Sequence, residues 1–239
     1  MDIQQMLSTG ALAMGVTLTD EQISKLMRYS DLLVDWNERM NLTTIIDPTD
    51  IAIKHFLDCL TCVQTGVFKP KLRMIDVGTG AGFPGIPLHI AVDGLQTVLL
   101  DALAKRVNFL NEVIAQLGLE HIQTVHARAE DAAHNRQYRE RFDIAVSRAV
   151  ANLAVLSEYA LPFLKVGGIF IAQKGPKATE ELAEAKKAIK ILGGELVDSL
   201  TVDLPFTDIK HHLVVIKKVQ HCSTNYPRKA GKPSKEPLK

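Results

Sequence analysis

The segment IDVGTGAGFPGIPL, residues 75–88, decides the fold class of this chain. A short apolar run ends in Asp76, and three glycines follow at alternate positions: Gly78, Gly80 and Gly82. Glycine tolerates positive φ angles and lets a ligand approach the main chain closely. Pro84 and Pro87 then favour the start of a helix. The segment therefore predicts a strand, a ligand-binding turn and a helix in direct succession.

The alternation of strands and helices continues along the rest of the chain. Seven apolar runs are strand candidates: LRMIDVG, QTVLLDA, IQTVHA, FDIAVSRA, GIFIAQKG, ELVDSLTVDLP and HHLVVIKKV. Helical stretches separate most of these runs, which predicts a parallel sheet with helices on both faces. The last two runs are joined only by a turn, so they must pair antiparallel. We expect an α/β fold with a seven-stranded, mostly parallel sheet and one reversed strand near its edge.

Two further regions flank the predicted sheet. Residues 1–70 read as helices, with Thr19 and Asp47 as N-caps and Gly66 as a stop. The sheet and its helices occupy residues 71–220. Residues 221–239 form a tail whose prolines and glycine are expected to prevent regular structure. This flexible tail carries five basic residues: Arg228, Lys229, Lys232, Lys235 and Lys239. It either lies along phosphates or is a solvated, frayed terminus.

Composition narrows the class of protein. The 239 residues carry a net charge of +1, which gives no evidence for a nucleic-acid partner over the whole chain. No apolar run approaches the roughly 20 residues that span a bilayer, so we expect no membrane-spanning helix. No basic region precedes a long apolar stretch, so we expect no secretory signal. Cys59 and Cys62 have the spacing of a redox or zinc motif, but no second pair completes a zinc site. We interpret them as reduced, packing thiols in a cytoplasmic, metal-free protein, and we expect a monomer.

The spacing of the glycines argues against a dinucleotide as ligand. The dinucleotide fingerprint needs a third glycine where Phe83 stands. The observed G-x-G-x-G spacing suits an adenosyl group with an amino-acid tail. Ligands in such sheets lie beyond the carboxyl ends of the strands, where Asp101 can accept hydrogen bonds from ribose hydroxyls. Ala129 and Glu130 follow the third strand and can flank a purine ring, and Arg148 ends the fourth strand.

The alternative is that the strand-end acids are helix N-caps, since each precedes a helical stretch. This alternative stays open for any single acid: Asp76, Asp101 or Glu130. The three acids together with the glycine turn favour a ligand site.

Eight segments resemble the GidB/RsmG family, the bacterial 16S rRNA guanine-N7 methyltransferases. They are WNERMNLTTI (36–45), HFLDCL (55–60), IDVGTGAGFPGIPL, LLDALAKRVNFL (99–110), ARAED, SRAVANL (147–153), QKG (173–175) and HHLVVIKK. The glycine turn alone is common to many methyltransferases, whereas the GTGAGFPGIPL extension and WN-x-x-x-NLT are much narrower. The resemblance covers nearly the whole chain.

The resemblance implies a class I S-adenosylmethionine-dependent methyltransferase, Rossmann-like, with a helical N-terminal extension. Its target would be one guanine in the 530 loop of 16S rRNA, met as naked rRNA or in a small-subunit particle. Matching residue by residue, the implied cofactor contacts are Gly78, Phe83, Ala129, Glu130 and Arg148. The Phe83 ring either packs on the cofactor or plugs the junction between strand and helix.

The implied chemistry needs no general base, because guanine N7 has a free lone pair and no proton to remove. Candidate positioning groups are Asn41, His55, Arg148 and Lys174. Arg148 would donate to guanine O6, or pair with Asp76 or the cofactor carboxylate. Asn41 contacts substrate or caps a turn, and His55 is a ligand or forms a buried pair with Asp58. Lys174 holds a phosphate or is a solvated loop lysine.

Two other hypotheses remain open at this point. One is a methyltransferase that acts on a tRNA, a protein or a small molecule. The other is a non-catalytic protein that binds RNA or a dinucleotide with the same fold.

Overall fold

The structure, a computed structural model, describes residues 1–238, so Lys239 of the predicted basic tail lies outside the described residues. Seven strands form one sheet in the order β3-β2-β1-β4-β5-β7-β6. Their bounds are β1 Arg73–Val77, β2 Gln96–Asp101, β3 Ile122–His126, β4 Phe142–Arg148, β5 Leu164–Lys174, β6 Gly194–Asp203 and β7 Lys210–Lys218. Strand β7 is antiparallel to both neighbours, and the other pairs are parallel. The predicted mostly parallel sheet with one reversed strand is confirmed.

Helices cover both faces of this sheet. They are α1 Ile3–Ala13, α2 Asp20–Met40, α3 Pro48–Ile51, α4 Asp58–Leu60, α5 Gly85–Ala91, α6 Ala104–Gln116, α7 Ala129–Ala132, α8 Leu153–Ala160, α9 Ala178–Ile191 and α10 Lys232–Lys235. A π-helical segment, Ala52–Leu57, joins α3 to α4, and 3₁₀ turns occupy Thr61–Thr65 and Leu161–Phe163. None of these helices is long and apolar enough to cross a membrane, as judged over residues 1–238.

Side chains on alternate positions of the strands enter two separate cores. Met74 and Leu99 pack with the N-terminal helices on one face, whereas Ile75 and Leu100 pack with α8 and α9 on the other. This division follows from the period of two along a strand. The N-terminal helices thus share one face of the sheet with α5 and α6 and reach its ligand-binding edge.

The N-terminal helices begin and end as their sequence predicts. Thr19 Oγ1 accepts from Gln22 N at 3.2 Å, and Asp47 Oδ1 accepts from Asp50 N at 3.0 Å. Gly66 adopts a left-handed conformation with φ of 69° and ends the helical run. The run between Asp47 and Gly66 is not a uniform α-helix, because it passes through a π-helical turn that contains His55. Such turns are frequent at functional sites.

The prediction that prolines prevent regular structure in the tail is wrong. Lys232–Lys235 form α10, which contacts α8, and the residues just before it donate to Glu158 of α8 and Glu130 of α7. The Arg228 guanidinium donates to the buried Glu158 carboxylate at 2.7 and 2.9 Å. The Arg139 guanidinium donates to the carbonyl groups of three tail residues, Cys222, Ser223 and Tyr226. These contacts satisfy main-chain carbonyl groups of the tail and neutralise the Arg228 charge. A prediction from composition alone could not include them.

Candidate functional site

The glycine turn follows β1 at the carboxyl edge of the sheet, as predicted. Gly78, Gly80 and Gly82 have φ angles of 72°, 62° and 98°. These angles disfavour any residue with a Cβ. A Cβ at Gly80 would meet no atom of the described residues within 4 Å, so the turn is open to a ligand there.

Asp76 lies beneath this turn with one oxygen free. Its Oδ2 accepts from Thr79 Oγ1 at 2.6 Å and from Gly85 N at 2.7 Å. Its Oδ1 is buried and has no hydrogen-bond donor among residues 1–238. Burial raises the pKa of Asp76 to about 7, although the hydrogen bonds from Thr79 and Gly85 oppose the shift. A buried acceptor without a donor is costly, and a donor group on a ligand would relieve that cost.

Asp101 ends β2, the position from which ribose recognition is predicted. Both of its oxygens already serve the protein: Oδ2 accepts from Gly80 N and Oδ1 accepts from Leu103 N, each at 2.9 Å. The Arg106 guanidinium, at the start of α6, lies 3.4 Å from Oδ2 and forms an ion pair with Asp101. Asp101 thus holds the shape of the glycine turn, and its contact with a ribose stays a prediction.

Ala129 and Glu130 begin α7, directly after β3, where a purine is predicted to lie. Glu130 is a buried acid, and its Oε1 accepts from Gly231 N of the tail at 2.8 Å. This contact could not be predicted from the sequence, because 101 residues separate the two groups.

Arg148 ends β4 at the same edge, but its partner is not Asp76. The guanidinium donates to Asp58 Oδ2 at 2.6 Å and to the Lys54 carbonyl at 3.3 Å. Asp58 is 2% exposed and also accepts from His211 Nδ1 at 2.5 Å. Burial by itself would raise the pKa of Asp58, but hydrogen bonds and charges from His211 and Arg148 outweigh it and lower the pKa. Asp58 is therefore the ionised centre of a three-residue cluster.

His55 does not pair with Asp58, contrary to one of the two expectations. Its Nδ1 lies 3.2 Å from Arg148 Nη2, and its Nε2 lies 2.9 Å from Thr43 Oγ1. A guanidinium only donates, so Nδ1 is the acceptor and Nε2 carries the proton. Burial, with the nearby Arg148 charge, lowers the pKa of His55 to about 4. The hydrogen bond from His211 to Asp58 instead raises the pKa of His211.

The Phe83 ring plugs the junction between strand and helix. It stacks on His55 with ring centroids 4.5 Å apart, and the Arg148 guanidinium carbon lies 4.9 Å from its centroid. Tyr29 and Phe56 pack against it from the N-terminal helices. Because the ring is 6% exposed, any contact between Phe83 and a cofactor is expected to be made by its main chain.

A cavity of about 480 Å³ opens beside this cluster, at the carboxyl ends of β4 and β5. Its charged and polar walls are Lys54, His55, Asp58, Arg148, Gln173, Lys174 and His211. Apolar walls come from Ile45, Leu204 and Ile209, and Ala149 and Gly175 complete the lining. Gln173 Oε1 is buried in this wall and has no donor among the described residues. Among residues 1–238, Asp58 is the only acid in the lining, so the cavity favours a neutral or anionic ligand with apolar faces.

The glycine turn and the cavity are neighbours. A Cβ placed on Gly78 would lie 2.7 Å from Val150 Cγ2, so the loop after β4 rests on the turn. Ala149, one residue earlier, lines the cavity. Two ligands bound at the two places would meet across this loop, near Arg148.

Two predicted positioning residues have other contacts. Asn41 is exposed and ends α2 in a left-handed conformation with φ of 50°, which fits the expectation of a cap. Lys174 lines the cavity, but its Nζ donates to the Ala151 carbonyl and lies 2.7 Å from Glu181 Oε2. Its side chain is 8% exposed, so Lys174 is not a solvated loop lysine. It anchors the loop after β4.

Sequence reasoning missed Asp58 as a hub and missed His211 and Gln173. One available signal was the reversed strand. Strand β7 runs against β5 and β6, so it begins at the edge where those strands end, and its first residues, His211 among them, are expected to lie at the ligand-binding edge.

The cysteines form neither a disulfide nor a metal site. Cys59 and Cys62 are buried and free, and burial raises the pKa of both thiols. Within residues 1–238, no three His, Cys, Asp or Glu side chains are arranged to hold a metal ion.

Comparison with known proteins assigns the family. The profile of the GidB family, described as rRNA small subunit methyltransferase G, matches residues 22–211. A ribosomal RNA small subunit methyltransferase G from Alkaliphilus oremlandii (strain OhILAs) is 56% identical over 239 residues, the whole of both chains. A protein of the same name from Acetivibrio thermocellus is 54% identical over 237 residues, 99% of this chain and 97% of that one.

Solved structures agree at the level of the fold. A SAM-dependent methyltransferase from Aquifex aeolicus superposes with a TM-score of 0.56 at 19% identity, covering 75% of this chain and 97% of that one. M. jannaschii TYW2 in complex with AdoMet gives a TM-score of 0.51 at 17% identity, covering 65% and 74%. The chain therefore belongs to the GidB family of rRNA small subunit methyltransferase G proteins and is an S-adenosylmethionine-dependent methyltransferase.

Proposed function

We propose that this protein transfers a methyl group from S-adenosylmethionine to N7 of one guanine in the 530 loop of 16S rRNA. The observation that carries the proposal is the cavity beside the glycine turn, with apolar walls, several cations and a single buried acid. The relatives' printed name, ribosomal RNA small subunit methyltransferase G, supports the class of substrate. The 530 loop, the N7 atom and the residue roles below rest on sequence resemblance and on geometry.

The residues at the glycine turn fit S-adenosylmethionine. The open main chain at Gly80 leaves room for the ligand, and the unpartnered Asp76 Oδ1 offers an acceptor for its cationic amino group. Glu130 and the main chain of Ala129 would hold the adenine edge, with main-chain contacts from Gly78 and Phe83. When bound, S-adenosylmethionine supplies a methyl group already activated by its sulfonium charge.

The guanine would lie in the cavity. Its flat, apolar faces suit walls made of Ile45, Leu204 and Ile209. Loop bases are commonly recognised in part by polar contacts to their edges, and the polar side chains of this lining offer such contacts. Arg148 or protonated His211 would donate to O6, which leaves N7 without a hydrogen bond and free to react.

The cluster does not supply a general base, and the reaction needs none. Asp58 is held by two cationic partners, and the His55 Nδ1 lone pair accepts from Arg148. The role of these groups would be to position the base and to shape the field around it. The negative charge of the buried Asp58 carboxylate would also stabilise the positive charge that methylation leaves on the guanine.

The experiment uses ribosomes from a strain that lacks the gene. The purified protein and labelled S-adenosylmethionine are incubated with 16S rRNA and, separately, with small subunits, and fragment mass analysis locates the label. Label in one guanine of the 530 loop, released as 7-methylguanine, is the expected result. Label elsewhere, or N7-methylguanine fully retained at that site in the deletion strain, would contradict the proposal.

A further inference from the structure

The C-terminal tail reaches the proposed adenosyl site through a main-chain contact. Gly231 N donates to Glu130 Oε1 at 2.8 Å. No residue among 1–238 donates to the other oxygen of this carboxylate. The tail therefore restrains one oxygen of Glu130 and leaves its second oxygen for a ligand.

The backbone conformation of the tail restricts the direction of this N–H. Gly231 has φ of 80°, and a Cβ there would meet no atom of residues 1–238 within 4 Å. Glycine is thus required by the backbone conformation, which points the amide at Glu130, and not by a lack of space. Lys235 N then donates back to the Gly231 carbonyl at 3.3 Å, which starts the turn of α10.

The segment before Gly231 is held by buried charge. Arg228 donates from its main chain at 2.8 Å and from its guanidinium to Glu158, whose side chain is 0% exposed. His134 Nε2 lies 2.8 Å from the Pro227 carbonyl. An ion pair this well shielded from water is costly to open on one side. The tail is therefore a fixed part of the protein on the side of Glu130.

We propose that the tail is a positioning element of the cofactor site, in which the Gly231 N–H orients the Glu130 carboxylate toward the adenine of S-adenosylmethionine. The inference rests on the proposed role of Glu130 in binding the cofactor. The anchored tail is not the frayed terminus of one sequence-based alternative, whereas contact of its basic residues with RNA phosphates stays a prediction. Charge-assisted hydrogen bonds from main-chain N–H groups are strong and directional, which suits this task.

The test removes this N–H with the smallest available change to the chain. Cys222 permits native chemical ligation of residues 1–221 to a synthetic peptide of residues 222–239, which rebuilds the full chain without an added residue. An ester in place of the Ala230–Gly231 amide deletes the donor. The control is an ester in place of the Lys229–Ala230 amide, since Ala230 N donates to no group among residues 1–238. Each ester also weakens one carbonyl acceptor, in the control that of Lys229, which accepts from Lys232 N at 2.9 Å, so the comparison isolates the Gly231 donor.

Calorimetry with S-adenosylhomocysteine measures each semisynthetic chain with Glu130 intact and with Glu130→Ala. We expect the Gly231 ester to raise the dissociation constant about tenfold, because a hydrogen bond to a charged group is lost. The control ester should change it less than about twofold. In the Glu130→Ala background, the Gly231 ester should have no further effect.

Three outcomes would overturn the inference. One is an unchanged affinity after the Gly231 ester, and another is the same loss in both backgrounds, which would mark a merely structural tail. The third is normal affinity in Glu130→Ala with the native amide. If the ester chain fails to refold, Gly231→Ala, strained at φ of 80°, goes through the same cycle. An all-amide chain that binds no S-adenosylhomocysteine would instead refute the proposed function.

Discussion

Asp58 gives the sharpest prediction, because two cations depend on one buried carboxylate. Its side chain is 2% exposed, and those of Arg148 and His211 are 15% and 30% exposed. Asp58→Asn keeps the shape of the side chain and removes its charge. Breaking one side of a buried pair usually costs 3–5 kcal/mol, and the remaining amide oxygen still accepts one hydrogen bond. We expect the free energy of unfolding to fall by about 3 kcal/mol.

The assay is urea unfolding followed by the fluorescence of Trp36, the single tryptophan. Trp36 packs on Phe109 with ring centroids 5.6 Å apart, so its signal reports the core beneath the glycine turn. The matched control is Asp35→Asn, which breaks a 3.7 Å pair with Arg39 whose side chains are 58% and 73% exposed. That change should cost less than about 0.5 kcal/mol.

The cost of Asp58→Asn should depend on pH. The pKa of Asp58 is lowered, so its contribution is present above its usual value of 3.8 and is lost as pH falls through the folded-state pKa. The pKa of His211 is raised, so its contribution is complete below 6.5 and is lost as pH rises through the folded-state pKa. The difference between the two proteins should be largest from about pH 4 to 6.5. A loss no larger than that of the Asp35 control, at every pH, would refute the reasoning.

Three further predictions concern the two ligand sites. Gly80→Val should weaken S-adenosylhomocysteine binding by at least about 100-fold, because the backbone has φ of 62° and the new side chain fills the open face of the turn. Gly118→Val, equally strained at φ of 57° but remote, should bind normally; matching losses would show that strain alone acts. Burial raises the pKa of Asp76 to about 7, so affinity should rise between pH 6 and 8 as Asp76 ionises, and Asp76→Asn should bind weakly at both pH values; a persistent rise would contradict this assignment. Lys174→Met and Glu181→Gln should lower methylation by similar factors, because both anchor the loop after β4; loss in Lys174→Met alone, with a raised KM for RNA, would mean that Lys174 holds a phosphate.

Much of the fold could be predicted from the sequence because the interactions that cause it are local. The period of two along each strand, the capping side chains of Thr19 and Asp47 and the alternating glycines act within a few residues of themselves. The short connection before β7 likewise required an antiparallel pair. The same reasoning placed Asp76, Asp101, Glu130 and Arg148 at one edge of the sheet.

The tail shows where composition misleads. Prolines and lysines in residues 221–239 suggested a flexible, basic segment. Arg228 instead pairs with Glu158, 70 residues earlier, and the tail folds around that contact. No rule of local propensity can supply a partner so distant in sequence.

The sequence by itself determined the sheet, its reversed strand, the glycine turn and the set of strand-end residues, because short-range sterics and hydrogen bonding dictate them. Only the tertiary structure decided which of these groups meet. In the folded chain, Arg148 pairs with Asp58 and not with Asp76, and His211 donates to the same carboxylate. The Phe83 ring stacks on His55, and the Gly231 amide donates to Glu130. These pairings depend on the packing of α2, the π-helical turn, β7 and the tail around one edge. The energy of a buried charge depends on all its neighbours in space, and the order of residues along the chain does not show which residues these are.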